Sequence, residues 1–320
     1  MTKKQRVLAA ITGGEVDRVP AGFSLHFPKE RAHGDAAVQA HLDFFRETDC
    51  DISKIMNENL VPLAGELGTP DDWDKVPAFD RATPFMQHQL QLVGDIMAKV
   101  PEGSYVVATL HGICASAIHP FESLYGYVPI REKLCAHLRE NSAPVLRAFE
   151  RITDGMIDYA RACLEMGVDG IYYAALGGEK HYFADDEFRT FIAPFEKKIL
   201  SAIRDAGGHT FVHICKENLN MQRYESYGAL SDVVNWGVYE TGFSLEEGRK
   251  LFPKSAIMGG LHNRSGVLVD GTKEELTQAV GDIIASFGKK GFLLGADCTL
   301  PTEIPTDSIA AAVKTAADTI

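Results

Sequence analysis

The sequence predicts a single (β/α)8 barrel of the TIM type, on three observations. Short apolar runs alternate with longer helical patterns along the whole chain, there are eight such runs, and most (YVVATL, FVHIC, GFLLGADC) are continuously apolar. Continuous runs mark parallel strands buried on both faces, and strand–helix repetition marks an α/β fold. Eight repeats favour closure into a barrel over an open doubly wound sheet. A chain of 320 residues is ordinary for one such barrel, so a single domain over 1–320 is expected.

The elements follow in order. The first strand is expected at Arg18–Phe27, then a helix at Ala36–Thr48 with Asp35 as N-cap and Val38, Leu42 and Phe45 at helical spacing. The second strand is Cys50–Glu58. Leu60–Pro101, with Gly68-Thr69-Pro70-Asp71-Asp72 and Pro77, is longer than one crossover needs and predicts an insertion over the barrel mouth. Strands three and four are Ser104–His111 and Val168–Leu176, separated by a helix over Leu138–Met166 that Gly167 ends. A helix at Asp185–Ala206, stopped by Gly207-Gly208, leads to the fifth strand, Thr210–Cys215. Asp232–Trp236 and Ser255–Leu261 are the sixth and seventh, Thr272–Phe287 is a helix before Gly288, and Gly291–Cys298 is the eighth strand.

Composition narrows the function. Hydrophobic residues make up 45%, enough for a sizeable core, and the net charge of −12 argues against a nucleic-acid partner. No stretch approaches the ~20 apolar residues of a membrane span, and the N-terminus lacks the apolar core of a signal peptide. Six scattered cysteines do not form a disulfide scaffold, so a reducing cytoplasm with free thiols or metal ligands is expected. No G-x-G-x-x-G turn, phosphate-loop lysine or G-x-S-x-G elbow occurs, which removes support for nucleotide and serine-hydrolase chemistry.

Reactive groups of parallel barrels sit at the C-terminal ends of strands. Those ends supply His26, Asn57-Glu58, His111 with Cys114, Tyr173, Glu179, His213 with Cys215, Trp236, Glu240, His262 and Cys298. His213 and Cys215 stand two apart on a strand and project to one side. Cys298 ends the last strand 83 residues later, where closure of the barrel brings it round to the same ion. A His/Cys/Cys set selects zinc and leaves the open fourth position that a catalytic site needs. Core packing explains His-x-Cys on a buried strand equally well, since cysteine is among the most buried residues. A rival ligand set is His111, Cys114 and His119. Glu179 and Glu240 are candidate acid–base groups, and His111, Tyr173, Trp236 and His262 are candidates to contact a cofactor.

The segments VDGIYYAALGGEKHYFADDEFRTFIAPFEKKIL, FVHICKENLNM, DVVNWG, AIMGGLHN and GFLLGADCTLPTEIPTDSI resemble the uroporphyrinogen decarboxylase superfamily in order and spacing. The His-x-Cys and late-Cys pattern is similar to its zinc-dependent corrinoid methyltransferases, including the methylcobalamin:coenzyme M enzymes. That resemblance implies zinc on His213, Cys215 and Cys298, with a substrate thiol in the fourth position attacking the methyl group of methylcobalamin. No cobalamin-binding D-x-H-x-x-G motif occurs, so the corrinoid is expected on a partner protein. The resemblance equally admits O-demethylation of methoxylated aromatics. A decarboxylase is disfavoured, because the Gly-Arg-Tyr segment is missing and KIMNE stands where those enzymes place an aspartate. A non-catalytic corrinoid-binding scaffold and a homodimer stay open.

Overall fold

The computed structural model describes residues 1–319. Seven parallel strands form one sheet in sequential order: β1 (Ile52–Ile55), β2 (Tyr105–His111), β3 (Gly170–Ala175), β4 (His209–Ile214), β5 (Val233–Trp236), β6 (Ala256–Leu261) and β7 (Phe292–Ala296). Sequential parallel order requires a crossover between every pair, and helices supply the crossovers throughout.

The expected first strand, Arg18–Phe27, is the departure. It is an irregular extended segment with two isolated bridges, Ala21 to Leu294 and Leu25 to Leu300. The segment still touches both edges of the sheet, with Gly22 N–H donating to Leu294 O at 2.9 Å and Asp51 N–H to Ala21 O at 2.8 Å. Two causes keep it irregular. Pro20 has no N–H to give, and the Ala21 N–H donates instead to the Asp51 carboxylate at 2.9 Å. Asp51 also accepts from Arg6 and Arg18 and so ties the N-terminal region to β1.

Alternation along the strands sorts the interior into two levels. Ile52, Tyr105, Val107, Tyr172, Phe211, Val233 and Met258 pack with Val7, Ala10 and Ile11, so the helix Lys3–Ile11 closes one end of the sheet's concave side. The next inward positions toward the strands' C-terminal ends are Lys54, Thr109, His111, Ala174 and His213, and these line a cavity. The outward residues of the same strands, Tyr173, Ile214 and Trp236 among them, join the larger core beneath the helices.

Within the expected insertion, a 3-10 turn at Pro70–Lys75 buries Trp73, whose indole N–H donates to His137 Nδ1 at 3.0 Å. The helix Pro84–Met97 then serves as the crossover to β2. Leu60 is the residue of this segment that lines the cavity. The expected helix at Asp185–Ala206 is interrupted by a π-type turn at Phe188–Ile192. Pro194, which cannot donate a helical N–H, follows directly.

Candidate functional site

The cavity at the C-terminal ends of the strands has a volume of about 320 Å³. His213, Cys215 and Cys298 meet in its wall, and their ligand atoms all lie within 4.8 Å of one another. His213 ends the inward row of β4, Cys215 follows two residues on, and its N–H still pairs with Ala175 O at 3.0 Å. The chain then turns through Lys216 at φ 87°, a left-handed conformation that costs a non-glycine residue about 1–3 kcal/mol.

The hydrogen-bond pattern orients the histidine. Asn235, at the matching register of β5, donates both amide N–H groups to the carbonyls of Met258 and Ala296, at 3.0 and 3.1 Å. Its Oδ1 therefore faces His213 Nδ1 at 2.6 Å and the Tyr172 hydroxyl at 3.0 Å. Nδ1 must donate to that oxygen, which makes Nε2 the lone-pair atom of the neutral ring. Nε2 is buried and has no hydrogen-bond partner. A buried acceptor left unpaired beside two thiols is costly in a fold, and it presents the lone pair that a metal ligand uses. The two thiols lie against each other. Their mutual hydrogen bond, with His213 close by, holds Cys298 well below the ordinary thiol value, and the same bond raises Cys215 well above it.

Lys54, which the motif reading passed over, comes up from β1 into the same cavity, and burial pulls its ammonium down to about 8. His111 and His119 pack edge to face at 5.0 Å on the opposite wall, and burial drives them to about 3 and 4. Both are uncharged at neutral pH. At the rim, His26 Nδ1 lies 2.6 Å from Glu58 Oε1.

Other residues expected at the site lie elsewhere. Tyr173 is fully buried on the outward face of β3 and contacts Ile113 N–H at 3.1 Å and Glu196 at 3.3 Å, whereas its neighbour Tyr172 lines the cavity. Trp236 is sealed in the outer core, its N–H donating to Phe243 O at 2.8 Å. A side chain at Gly248 would stand 1.9 Å from that indole, so only glycine leaves room for it. Glu179 is buried in an ion pair with Arg131 and accepts the Gly177 N–H at 3.1 Å. Glu240 is exposed, and His262 Nδ1 accepts from Arg264 N–H and Ser265 N–H, at 3.0 and 2.9 Å, outside the cavity wall. The rival ligand set does not assemble: Cys114 turns toward Gly177 while His111 and His119 face the cavity, and among the described residues His213, Cys215 and Cys298 form the one metal-competent cluster. Among the same residues no helix is long and apolar enough to cross a membrane.

Comparison with known proteins places the chain in context. Residues 50–319 match the family model described as uroporphyrinogen decarboxylase (URO-D). No curated protein matches the sequence. A methyltransferase from Methanosarcina mazei superposes with a TM-score of 0.78 at 17% identity, covering 99% of each chain. A B12-independent methionine synthase from Shewanella sp. W3-18-1, solved with selenomethionine, gives 0.62 at 11% identity over 94% of this chain and 97% of that one. At such identities the likeness is one of fold.

Proposed function

This chain belongs to the uroporphyrinogen decarboxylase (URO-D) family, and from that premise we propose that it is a zinc-dependent methyltransferase moving a methyl group between a corrinoid and a substrate thiol. The observation that carries the reading is the unpartnered His213 Nε2 beside the Cys215 and Cys298 sulfurs. The donor set is right for zinc, three ligands with a fourth position left open. The fold likeness to a methyltransferase supports the reaction class.

Zinc bound there would keep a substrate sulfur as its thiolate at neutral pH, the form that attacks carbon. The protein's own part is positional. Asn235 and Tyr172 fix the His213 ring, and the concave wall shelters the reacting sulfur from bulk water. A corrinoid, when presented at the mouth, would supply an electrophilic methyl group, and His213, Cys215 and Cys298 would hold the zinc that keeps the accepting sulfur anionic. Uncharged His111 and His119 keep the facing wall from competing for the thiolate as acids. A corrinoid is bulky and arrives on a partner protein in this reading. Leu60, Leu63, Leu124 and Val128 are exposed apolar residues on segments that border the cavity, suited to such a contact.

The test is metal content by plasma mass spectrometry on protein purified without chelators or a histidine tag, beside a Cys215→Ser/Cys298→Ser variant. About one zinc per chain is expected in the wild type and none in the variant. Protein that takes up no zinc even after reconstitution defeats the mechanism.

A further inference from the structure

Strand β1 carries a lysine in the middle of a fully buried run, Ile52-Ser53-Lys54-Ile55. Lys54 is 9% exposed and stands on the inward face, above Ile52 and below the cavity mouth. Its Nζ lies 3.6 Å from the centre of the Tyr172 ring and 3.3 Å from Ser24 Oγ. Among the described residues no carboxylate pairs with it, unlike Lys3, Lys4, Lys75 and Lys198, which each have one. One long hydroxyl contact and a π face satisfy an ammonium only in part. A cation taken out of water without an anion is costly.

The side of Lys54 left open is the cavity side. Lys54 shares the cavity with Cys215 and Cys298, and it shares the small recess beneath with Tyr172 and Cys298. Among the other charged groups of the wall, Glu58 is bound by His26 at 2.6 Å and Glu122 lies on the helix at the rim, while Lys216, 4.7 Å from the Tyr127 ring centre, is a second cation beside Cys215.

We propose that Lys54 supplies the counter-charge for an anionic substrate sulfur held beside Cys215 and Cys298, so that the site takes its substrate as a thiolate. This rests on the zinc reading above. A divalent ion, two cysteine thiolates and a neutral imidazole sum to zero charge. A substrate thiolate adds one negative charge, and Lys54 cancels it in a sheltered cavity where an uncompensated charge is disfavoured. Before the substrate arrives, Lys54 adds one positive charge beside the neutral metal set, which favours an anion there. Lys54 is thus a positioning residue for the substrate's charge, reaching the sulfur's electrostatics without being a metal ligand.

The experiment uses full-length protein loaded with cobalt(II), wild type and Lys54→Met, which keeps the apolar stem and removes the charge. Each is titrated with 2-mercaptoethanol and with mercaptoacetate, and sulfur-to-cobalt charge-transfer absorbance is followed. The expected result is an unchanged cobalt content and a loss of about 10- to 100-fold in affinity for both thiols, the scale of one charge-assisted contact. Equal affinity in the variant overturns the proposal. So does a loss confined to mercaptoacetate, which would make Lys54 a reader of the carboxylate tail, and so does loss of cobalt, which would make it a support for the cysteines. A wild type that binds no cobalt defeats the zinc reading itself, and the role of Lys54 falls with it.

Discussion

Two buried polar clusters meet β3 from its opposite faces, and they differ in how their bonds close. On the outward face, Tyr173 and Tyr227 both donate to Glu196, at 3.3 and 2.5 Å, and Arg131 pairs with Glu179 while stacking 4.0 Å from the Tyr182 ring. That cluster closes on itself, with the Tyr224 hydroxyl as its one loose end. On the inward face, Tyr172, Asn235 and His213 form a chain whose last atom, Nε2, ends unpaired at the cavity beside two thiols. A polar network that closes secures the fold. One that stops at an open lone pair beside two thiols leaves a donor atom free for a ligand.

The largest effects expected set the two clusters against each other. Arg131→Ala strands the buried Glu179 carboxylate and should cost about 3–5 kcal/mol of stability, the usual result of removing one partner of a buried pair, with zinc content unchanged in the protein that folds. His213→Ala should do the reverse. Zinc affinity should fall by more than about 100-fold, while stability falls less than in Arg131→Ala, because no buried charge is stranded and Tyr172 still donates to Asn235 once the Nδ1 bond is lost. Denaturant melts beside metal analysis read both. If His213→Ala unfolds the protein as severely as Arg131→Ala, the inward cluster is core and the contrast fails.

Next in size is a pH dependence that the outward cluster contributes through Glu196. Burial raises Glu196 from 4.5 to about 7. The folded protein therefore holds a proton on Glu196 that the unfolded chain releases, and stability is full below pH ~4.5 and declines as pH rises to about 7. Glu196→Gln, which mimics the protonated form, should flatten that decline and gain up to about 3 kcal/mol over wild type at pH 8. Thermal or urea unfolding from pH 4.5 to 8 measures it. Parallel profiles for the two proteins would show that the tyrosines, not a proton, carry the carboxylate.

The clustering of His213, Cys215 and Cys298 was legible because its geometry sits in the sequence: a two-residue spacing fixes the side shared by His213 and Cys215, and a cysteine at the end of the last strand is rare enough to stand out. Side of strand was the information lost elsewhere. In Tyr172-Tyr173 both residues have the right chemistry, and the reading took Tyr173, which faces the helices, in place of Tyr172, which faces the cavity. Counting inward parity back from His213, through the register that pairs it with Ala174, selects Tyr172, and the same count puts Trp236 outside. Lys54 was readable by that rule too, as a charge on the inward side of a buried strand. The irregular segment at Arg18–Phe27 was less accessible, because the group that takes the Ala21 N–H belongs to Asp51, 30 residues away. Likewise Glu179 has the sequence setting of a catalytic carboxylate, and only the fold brings Arg131 to it.

The smallest effect expected concerns Glu240, the remaining acid–base candidate. It stands exposed on the short helix Val238–Thr241, whose first N–H groups are held by Asp297, at 3.0 Å from Val238 and 2.9 Å from Tyr239. That anchoring fixes the helix beside the site while leaving the Glu240 side chain on the solvent side, outside the cavity wall. A solvated carboxylate keeps its proton exchange with water and gains nothing from the sheltered interior. Glu240→Gln should therefore leave zinc content unchanged, shift stability by less than about 0.5 kcal/mol and alter methyl-transfer rates by less than about twofold. A drop of tenfold or more in kcat with KM unchanged would mean that the segment 238–242 closes over the mouth during turnover. The inward network would then extend past Asn235 to the loop that follows its own strand.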